Sequence, residues 1–214
     1  MPTQIYKDAN GQRLPSVTTI ISRFKNSDGL LYWANECGLN GQTLNEARRP
    51  AATAGTMAHA LVEAHLHGRP EPQLEGDPEI IEKARAAFAT YLEWKKTTRM
   101  EFLHTEVGLV SETHKFGGCL DAIGTMNGNR VLVDFKTSNS LYADYLYQLA
   151  AYCILWEENY PDHKIEGGFH LCRFSKDYGD FTHSFFPSLE DEKKTFLAMR
   201  DLYTRVKAAE KRVR

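Results

Sequence analysis

The chain has few of the features that mark secreted, membrane or zinc-knuckle proteins. Its four cysteines lie far apart, which argues against a disulfide framework or a zinc knuckle and favours free thiols in a reducing compartment. The sequence contains no run of about 18 apolar residues that could cross a membrane. Its first residues also lack the apolar core of a signal peptide. We therefore expect a cytoplasmic protein with no membrane partner.

An excess of positive charge is missing as well. The chain has 26 Lys and Arg residues against 28 Asp and Glu residues, so its formal net charge at pH 7 is −2. No overall field would attract a polyanion, and a nucleic acid would have to be held by a local basic channel or through a bound cation. The length of 214 residues is enough for one domain with a sizeable core.

The first hundred residues are predicted to be mainly helical. Ser16 is a good capping residue before the first helical stretch, and Asp77 followed by Pro78 marks the start of the last one. The predicted helices cover residues 17–25, 29 to 38 or 41, 53–66 and 77–96. We expect these residues, 1–100, to form a helical lobe within a single domain spanning 1–214.

The remaining residues are predicted to follow the order β-β-β-helix-β-β-helix. The middle helix spans about 143–159, and the last helix opens with a capping-box pattern at Ser188–Asp191. This order predicts a sheet core at residues 101–187 and a C-terminal helix at 188–214. The fold class expected from the pattern is therefore α/β.

A hairpin near the middle of the chain places two acids opposite each other. Asn127 and Gly128 form the strongest short hairpin signal, and a two-residue loop there aligns Asp121 with Asp134. Side chains directly opposite in a sheet lie about 5 Å apart, and like charges at that distance are destabilising. A divalent cation between the two carboxylates would compensate for the repulsion.

The strand after this turn carries a lysine on the same face as the second acid. Side chains alternate along a strand, so Asp134 and Lys136 share one face while Val133 and Phe135 point into the other layer. The pattern thus predicts an ammonium group beside the acid pair.

A third acid is predicted on the preceding strand. Residues 105–112 have strand-like composition, and a tight turn at Thr113–His114 would align Glu106 with Asp121. Glu106, Asp121 and Asp134 would then form a row across three strands. Three acids and one lysine on one patch of sheet are typical of a metal-dependent phosphoryl-transfer site.

Two helices each contribute a pair of residues one turn apart. Gly55 and His59 lie on one side of their helix, where glycine would allow close approach of another element and the imidazole could face a metal. The alternative is a structural histidine. Gln148 and Tyr152 lie on a mostly apolar helix, where glutamine needs hydrogen-bond partners. Their alternative roles are a loop cap and a core aromatic.

Taken in order, these residues form five short motifs. They are Gly55–His59 (GxxxH), Glu106, Gly118–Asp121 (GxxD), Asp134–Lys136 (DxK) and Gln148–Tyr152 (QxxxY). The chain resembles the RecB-type branch of the PD-(D/E)XK nuclease superfamily, and the resemblance covers most of residues 15–174. It implies a restriction-endonuclease-like core, with a mixed central sheet flanked by helices, and an N-terminal helical lobe.

The resemblance also implies a metal site and roles for its neighbours. The implied ligands of one or two Mg²⁺ or Mn²⁺ ions are His59, Asp121, Asp134 and the main-chain carbonyl of Phe135. Lys136 would orient or deprotonate the attacking water or stabilise charge on the phosphate, and Glu106 would help through a second metal or an outer-shell water. Gln148 and Tyr152 would position the strand or the ligands.

The implied partner is DNA, single-stranded or at duplex ends, threaded beneath an arch of N-terminal helices. The implied nucleic-acid contacts are Arg13, Ser16, Arg48, Arg49, Gln148 and Tyr152. Aromatic residues such as Tyr32 and Trp33 could stack on bases, the alternative being that they belong to the core. CRISPR-associated relatives bind an iron–sulphur cluster through three C-terminal cysteines, but no cysteine follows Cys172, so no such cluster is expected.

The function implied is that of a metal-dependent DNA exonuclease in phage or bacterial recombination, repair or replication. Such an enzyme would work in the cytoplasm of a bacterium or a phage-infected cell. Two alternatives stay open: a structure-specific nickase of the same superfamily, and a catalytically inactive nucleic-acid-binding module. The polarity of cleavage and the oligomeric state also stay open.

Overall fold

The computed structural model of the chain describes residues 4–25, 28–43, 53–175 and 180–213. The strands are β1 (Tyr6–Lys7), β2 (Arg13–Leu14), β3 (Glu101–Ser111), β4 (Phe116–Met126), β5 (Asn129–Thr137), β6 (Phe169–Phe174) and β7 (Phe181–Phe186). The helices are α1 (Val17–Ser22), α2 (Asp28–Leu39), α3 (Ala54–Leu66), α4 (Pro78–Thr98), α5 (Ala143–Asn159) and α6 (Glu190–Arg212). None of these helices is long and apolar enough to span a membrane.

One five-stranded sheet with the order β3-β4-β5-β6-β7 organises the chain. The neighbouring strands are antiparallel except β5 and β6, which run parallel and are joined through α5, as a parallel crossover requires. This mixed sheet confirms the predicted order of strands and helices after residue 100.

Helices cover both faces of the sheet and bury two apolar clusters. On one face, α1, α5 and α6 pack on side chains such as Leu120 and Leu132. On the other face, α3 and α4 pack on side chains such as Val131, Val133 and Phe135. Leu132 and its neighbours Val131 and Val133 thus point to opposite layers, which confirms the predicted alternation of β5.

Two helices begin where their capping residues predicted, and a third does not. Ser16 caps α1 by accepting a hydrogen bond from the Thr19 amide, and Asp77 caps α4 in the same way. The predicted capping box at Ser188 is wrong, because α6 begins at Glu190 and its N-cap residue, Leu189, makes no side-chain cap. Leu189 is buried in the cluster beneath α5, so packing sets this boundary.

Both predicted hairpin registers are confirmed, although one turn differs. Strands β4 and β5 pair from Met126 with Asn129 to Ala122 with Val133. Strands β3 and β4 pair from Ser111 with Phe116 onward. The loop between β3 and β4 therefore has four residues, 112–115, and the predicted two-residue turn at Thr113–His114 is wrong. Because both ends moved by one residue, the register is unchanged.

A short N-terminal hairpin was not predicted. Strands β1 and β2 pair antiparallel, and the carboxylate of Asp8 accepts hydrogen bonds from the Asn10 and Gln12 amides in the loop between them. After β2, the carbonyl of Pro15 accepts a hydrogen bond from the Gly117 amide at the start of β4. The hairpin is thereby joined to β4, the strand that also carries Asp121.

Candidate active site

Strand β3 reverses its faces at the predicted acid Glu106. Val107 packs against the cluster beneath α5, whereas the hydroxyl of Thr105 contacts Nδ1 of His67, at the end of α3, at 3.3 Å. Residues two apart in a regular strand share a face, so the strand must turn over between them. Glu106 does this with a left-handed backbone, φ 52°, a conformation that non-glycine residues seldom adopt.

Strand β4 reverses at the matching position, Asp121. Leu120 and Ala122 belong to clusters on opposite faces of the sheet. The pairing of β4 with β5 ends at Ala122, and Oδ2 of Asp121 accepts a hydrogen bond of 2.8 Å from the Phe135 amide. The Asp121 carboxylate thus takes the place of a main-chain carbonyl as the next hydrogen-bond acceptor along β5. The register places Asp121 across from Asp134.

Asp134 is a fully buried acid without a complete set of partners. Its side chain is 0% exposed, and neither oxygen has a hydrogen-bond partner among the residues described. The ammonium of Lys136 makes an ion-pair contact, with Nζ 2.5 Å from Oδ2. Burial raises the pKa of Asp134 to about 7, with Lys136 opposing the rise and Asp121 adding to it. A buried acid of this kind fits a cation ligand.

Lys136 lies on the α5 side of the sheet, beside the acids. Its side chain is 15% exposed and its Nζ lies 5.5 Å from the centre of the Tyr145 ring. Burial alone would lower the pKa of Lys136, but the carboxylates of Asp134 and Asp121 outweigh it and raise the pKa. The group is therefore an ammonium in the metal-free protein, suited to donating hydrogen bonds.

Helix α3 brings His59 to this region through the glycine one turn earlier. A Cβ on Gly55 would lie 2.6 Å from the carbonyl oxygen of Ser175 and 2.8 Å from Cγ2 of Thr137. The helix therefore rests directly on the ends of β5 and β6, as the glycine predicted. His59 then packs edge-on against Phe135, with 6.4 Å between ring centres.

A small cavity joins residues of α3 to residues of the three strands. Its volume of about 20 Å³ is enough for one water-sized species. It is lined by His59, Val62, Glu63, Leu66, His67, Glu106, Asp121 and Phe135. The structure thus brings together four of the predicted residues and adds Glu63 and His67, which sequence reasoning missed. Their spacing after His59, four and eight residues, was a readable signal of one helix face.

The two residues of the QxxxY motif bond to each other. Nε2 of Gln148 donates a hydrogen bond of 2.6 Å to Oη of Tyr152, so Gln148 is engaged with the tyrosine. The Tyr152 ring lies against Gly118, where a Cβ would meet Cε1 at 2.9 Å. Burial first, and then Asp134 and Asp121, raise the pKa of Tyr152. Its phenol keeps its proton and can donate it near the acids.

The predicted nucleic-acid residues Arg13 and Ser16 line a separate groove of about 730 Å³. Its basic residues are Arg13, Lys115, Arg200, Lys207 and Lys211. Lys115 and Lys207 have acidic partners, whereas Arg13 and Lys211 have no ion pair within the described ranges. The predicted contacts Arg48 and Arg49 lie outside the described residues. No residue of α6 was predicted among the nucleic-acid contacts, although the basic end of α6 lines this groove.

Two aromatic residues that could stack on bases, or alternatively belong to the core, lie on the surface. Tyr32 is 70% exposed and Trp33 is 38% exposed. Both belong to α2, whose residue Leu39 is also exposed. The alternative that these rings are core residues is therefore wrong.

The mixed five-stranded sheet between two helical layers, with acids and a lysine on its middle strands, is a restriction-endonuclease-like core of the kind found in nucleases. A family model of the PD-(D/E)XK nuclease superfamily matches residues 21–211. The chain therefore belongs to the PD-(D/E)XK nuclease superfamily. Membership implies hydrolase activity on nucleic acids, and nucleases of this superfamily typically use divalent metal ions.

Several solved structures are similar to the chain. A candidate exonuclease from Eubacterium rectale has 13% identity and a TM-score of 0.50, over 79% of this chain and 70% of that one. The alkaline exonuclease of Laribacter hongkongensis has 18% identity and a TM-score of 0.31, over 72% of this chain and 84% of that one. The protein SSO0001 has 19% identity and a TM-score of 0.36. The match covers 58% of this chain and only 59% of the length of SSO0001. The first supports the fold alone. No curated protein compared with the chain matches it.

Proposed function

We propose that the chain is a Mg²⁺- or Mn²⁺-dependent deoxyribonuclease that degrades single-stranded DNA or duplex DNA from its ends. The observation that carries the proposal is the buried, incompletely partnered Asp134 beside Asp121 and Lys136. A purely structural role would leave this arrangement as an uncompensated cost.

The proposed ligands of the catalytic cation are His59, Asp121, Asp134 and the main-chain carbonyl of Phe135. This oxygen-rich set with one imidazole suits Mg²⁺ or Mn²⁺. The oxygens of Asp134, which have no hydrogen-bond partner in the described part of the chain, and the shared cavity of His59 and Asp121 support the assignment. When bound, such an ion polarises the scissile phosphate and lowers the pKa of its water.

The remaining residues would position and stabilise the reacting groups. The Lys136 ammonium, fixed by Asp134, would hydrogen-bond the attacking water or the charged phosphate. The Tyr152 hydroxyl accepts from Gln148, which leaves its own proton free to contact a ligand or a phosphate oxygen. Cleavage would give a 5′-phosphate and a 3′-hydroxyl.

Two surfaces support DNA as the substrate. The groove between β1, β2 and the end of α6 carries Arg13 and Lys211 without acidic partners among the residues described, and such cations neutralise phosphates. The exposed rings of Tyr32 and Trp33 on α2 offer stacking platforms for unpaired bases. A cytoplasmic role in phage or bacterial recombination, repair or replication stays part of the proposal.

The test compares DNA with and without ends. The purified protein with Mn²⁺ should degrade end-labelled linear single strands and leave covalently closed circles intact. Lys136→Ala should reduce cleavage by at least about 100-fold, since it removes a charge aimed at the transition state, while DNA binding persists. Lys194→Ala, which alters an exposed pair with Asp191, is the matched control. Nicking of the circle would favour the nickase, and full activity of Lys136→Ala would refute the proposed site.

A further inference from the structure

A second group of side chains able to act as metal ligands lies beside the proposed catalytic acids. Glu63, His67 and Glu106 each offer a ligand atom, and these atoms all lie within 4.8 Å of one another. None of the three belongs to the ligand set proposed above for the catalytic cation. They share the small cavity with His59 and Asp121, so the group opens onto the same cleft.

The imidazole of His67 is oriented as a ligand. Its Nε2 lies 3.1 Å from Oε2 of Glu106, yet Nε2 has no aligned hydrogen-bond partner in the described part of the chain. The other ring nitrogen, Nδ1, contacts the hydroxyl of Thr105 at 3.3 Å. With the ring proton on Nδ1 and donated to Thr105, the Nε2 lone pair faces the carboxylate of Glu106. This tautomer leaves a position for a cation that both atoms can bind, and such outer contacts are typical of metal-binding histidines.

The backbone of Glu106 holds its carboxylate in place at a cost. Its left-handed conformation, φ 52°, is unfavourable for a residue with a Cβ. Strained backbone of this kind persists where the surrounding structure fixes it, and it clusters at ligand sites. The left-handed backbone turns the side chain of Glu106 from β3 towards the end of α3, where His67 lies.

Glu63 completes the group from one turn earlier on the same helix. Its nearest charged partner other than the cluster is Arg69, with Nη1 3.8 Å from Oε1. That distance is long for an ion pair between partly exposed groups, so Arg69 does not fill the position of a cation. Two carboxylates and an imidazole form a donor set that suits Mn²⁺ better than Mg²⁺.

We propose that Glu63, His67 and Glu106 bind a second divalent transition-metal ion, which ties the end of α3 to β3. The site is distinct from the one proposed for catalysis on Asp121 and Asp134. It deepens the proposed function, since both ions would border one cleft, but its ligands can be removed separately.

The test is the number of Mn²⁺ ions bound per chain, measured by electron paramagnetic resonance titration of the full-length protein without DNA. The parent should bind two ions. His67→Gln and, independently, Glu63→Gln should each bind one fewer. His65→Gln is the matched control, because His65 lies on the same helix but contacts Phe88 and Tyr91, and it should bind as many ions as the parent.

Folding and the two sites are separated by further measurements. Thermal unfolding in EDTA should be similar for Glu63→Gln and the parent, whereas Mn²⁺ should stabilise the variant less. Asp134→Asn should lose the catalytic ion and keep the one held by His67. Unchanged Mn²⁺ stoichiometry in both His67→Gln and Glu63→Gln would overturn the second site. Loss of an ion in those variants but not in Asp134→Asn would uphold it while refuting the proposed catalytic ligands.

Discussion

Two of the places where the sheet buries polar side chains satisfy those side chains in different ways. On β4 and β5, Asp134 lies beside Asp121 with neither of its oxygens hydrogen-bonded among the residues described. On β6 and β7, Nδ1 of His170 and Nε2 of His183 form a hydrogen bond of 2.8 Å, and their rings stack with 5.0 Å between centres. The first group faces a cleft, and the second is enclosed by aromatic rings such as Trp94.

Burial favours the uncharged form of the side chains at both places. Only the two histidines can adopt that form without a bound ligand. Burial and the neighbouring His183 lower the pKa of His170 to about 4, so the pair is neutral at pH 7. Nε2 of His170 has no hydrogen-bond partner among the residues that the structure describes, which costs about 1–3 kcal/mol. Asp134 has a pKa raised to about 7 and an ammonium beside it, so at pH 7 its carboxyl still carries about half of its charge. A buried charged group with too few partners indicates a ligand site. A neutral pair whose members hydrogen-bond to each other indicates a structural role.

The largest expected effect separates activity from stability. Asp121→Asn should lower the cleavage rate by at least about 100-fold, more than typical losses at outer-shell metal partners. Its amide oxygen can still accept from the Phe135 amide, and repulsion of Asp134 disappears. The free energy of unfolding in EDTA, measured with urea, should therefore not fall.

His170→Gln is the counterpart at the closed pair. It removes the ring that His183 bonds and stacks on, so it should lower the free energy of unfolding by about 1–3 kcal/mol and leave the cleavage rate of the folded protein unchanged. Loss of activity in folded His170→Gln, or an active Asp121→Asn, would break the distinction between the two groups.

The second prediction concerns the pH dependence of stability in EDTA. The ordinary pKa of an aspartate is 3.8, and that of Asp134 is raised to about 7. Between these values the folded state binds more protons, so Asp134 makes stability fall as pH rises. The pKa of His170 is lowered from 6.5 to about 4, the unfolded state binds more protons there, and stability rises with pH. The two slopes oppose each other.

Removing one group should expose the slope of the other. Relative to the parent, urea unfolding from pH about 4.5 to about 6.5 should give Asp134→Asn a stability that rises more steeply with pH and His170→Gln one that rises less steeply or falls. Each difference in slope from the parent should be at most about 1.4 kcal/mol per pH unit, the value for one proton. Equal slopes in the parent and both variants would contradict the assigned pKa shifts.

Local sequence signals predicted which strands and which helix surround the acids. They did not predict the backbone conformation at the acids themselves. The Asn127–Gly128 loop fixed the alignment of β4 and β5, and the spacing of Gly55 and His59 predicted the close approach of α3. The reversal at Glu106 could not be predicted, because glutamate has no preference for a left-handed backbone and only the surrounding packing imposes it.

Other parts of the molecule were missed for related reasons. Glu63 and His67 share a face with His59, but which helix face meets the sheet depends on tertiary contacts. The start of α6 is set by the burial of Leu189, which outweighs the capping preference of Ser188. Likewise, the basic end of α6 becomes the wall of a groove only through its position beside β1 and β2.

The smallest expected effect tests whether the backbone of Glu106 is strained. Glu106→Gly should relieve the left-handed backbone, whereas Glu106→Ala keeps a Cβ in the same conformation, and both lose the carboxylate equally. The left-handed form costs about 1–2 kcal/mol for a residue with a Cβ, and the extra freedom of unfolded glycine takes back about 0.4–1 kcal/mol. In EDTA, the free energy of unfolding of Glu106→Gly should therefore exceed that of Glu106→Ala by up to about 1.6 kcal/mol. The same pair at Val107, which is not among the residues with a positive φ, should show the opposite order, with glycine the less stable. If alanine is the more stable residue at both positions, the backbone of Glu106 holds no strain, and its conformation gives no support to a ligand site.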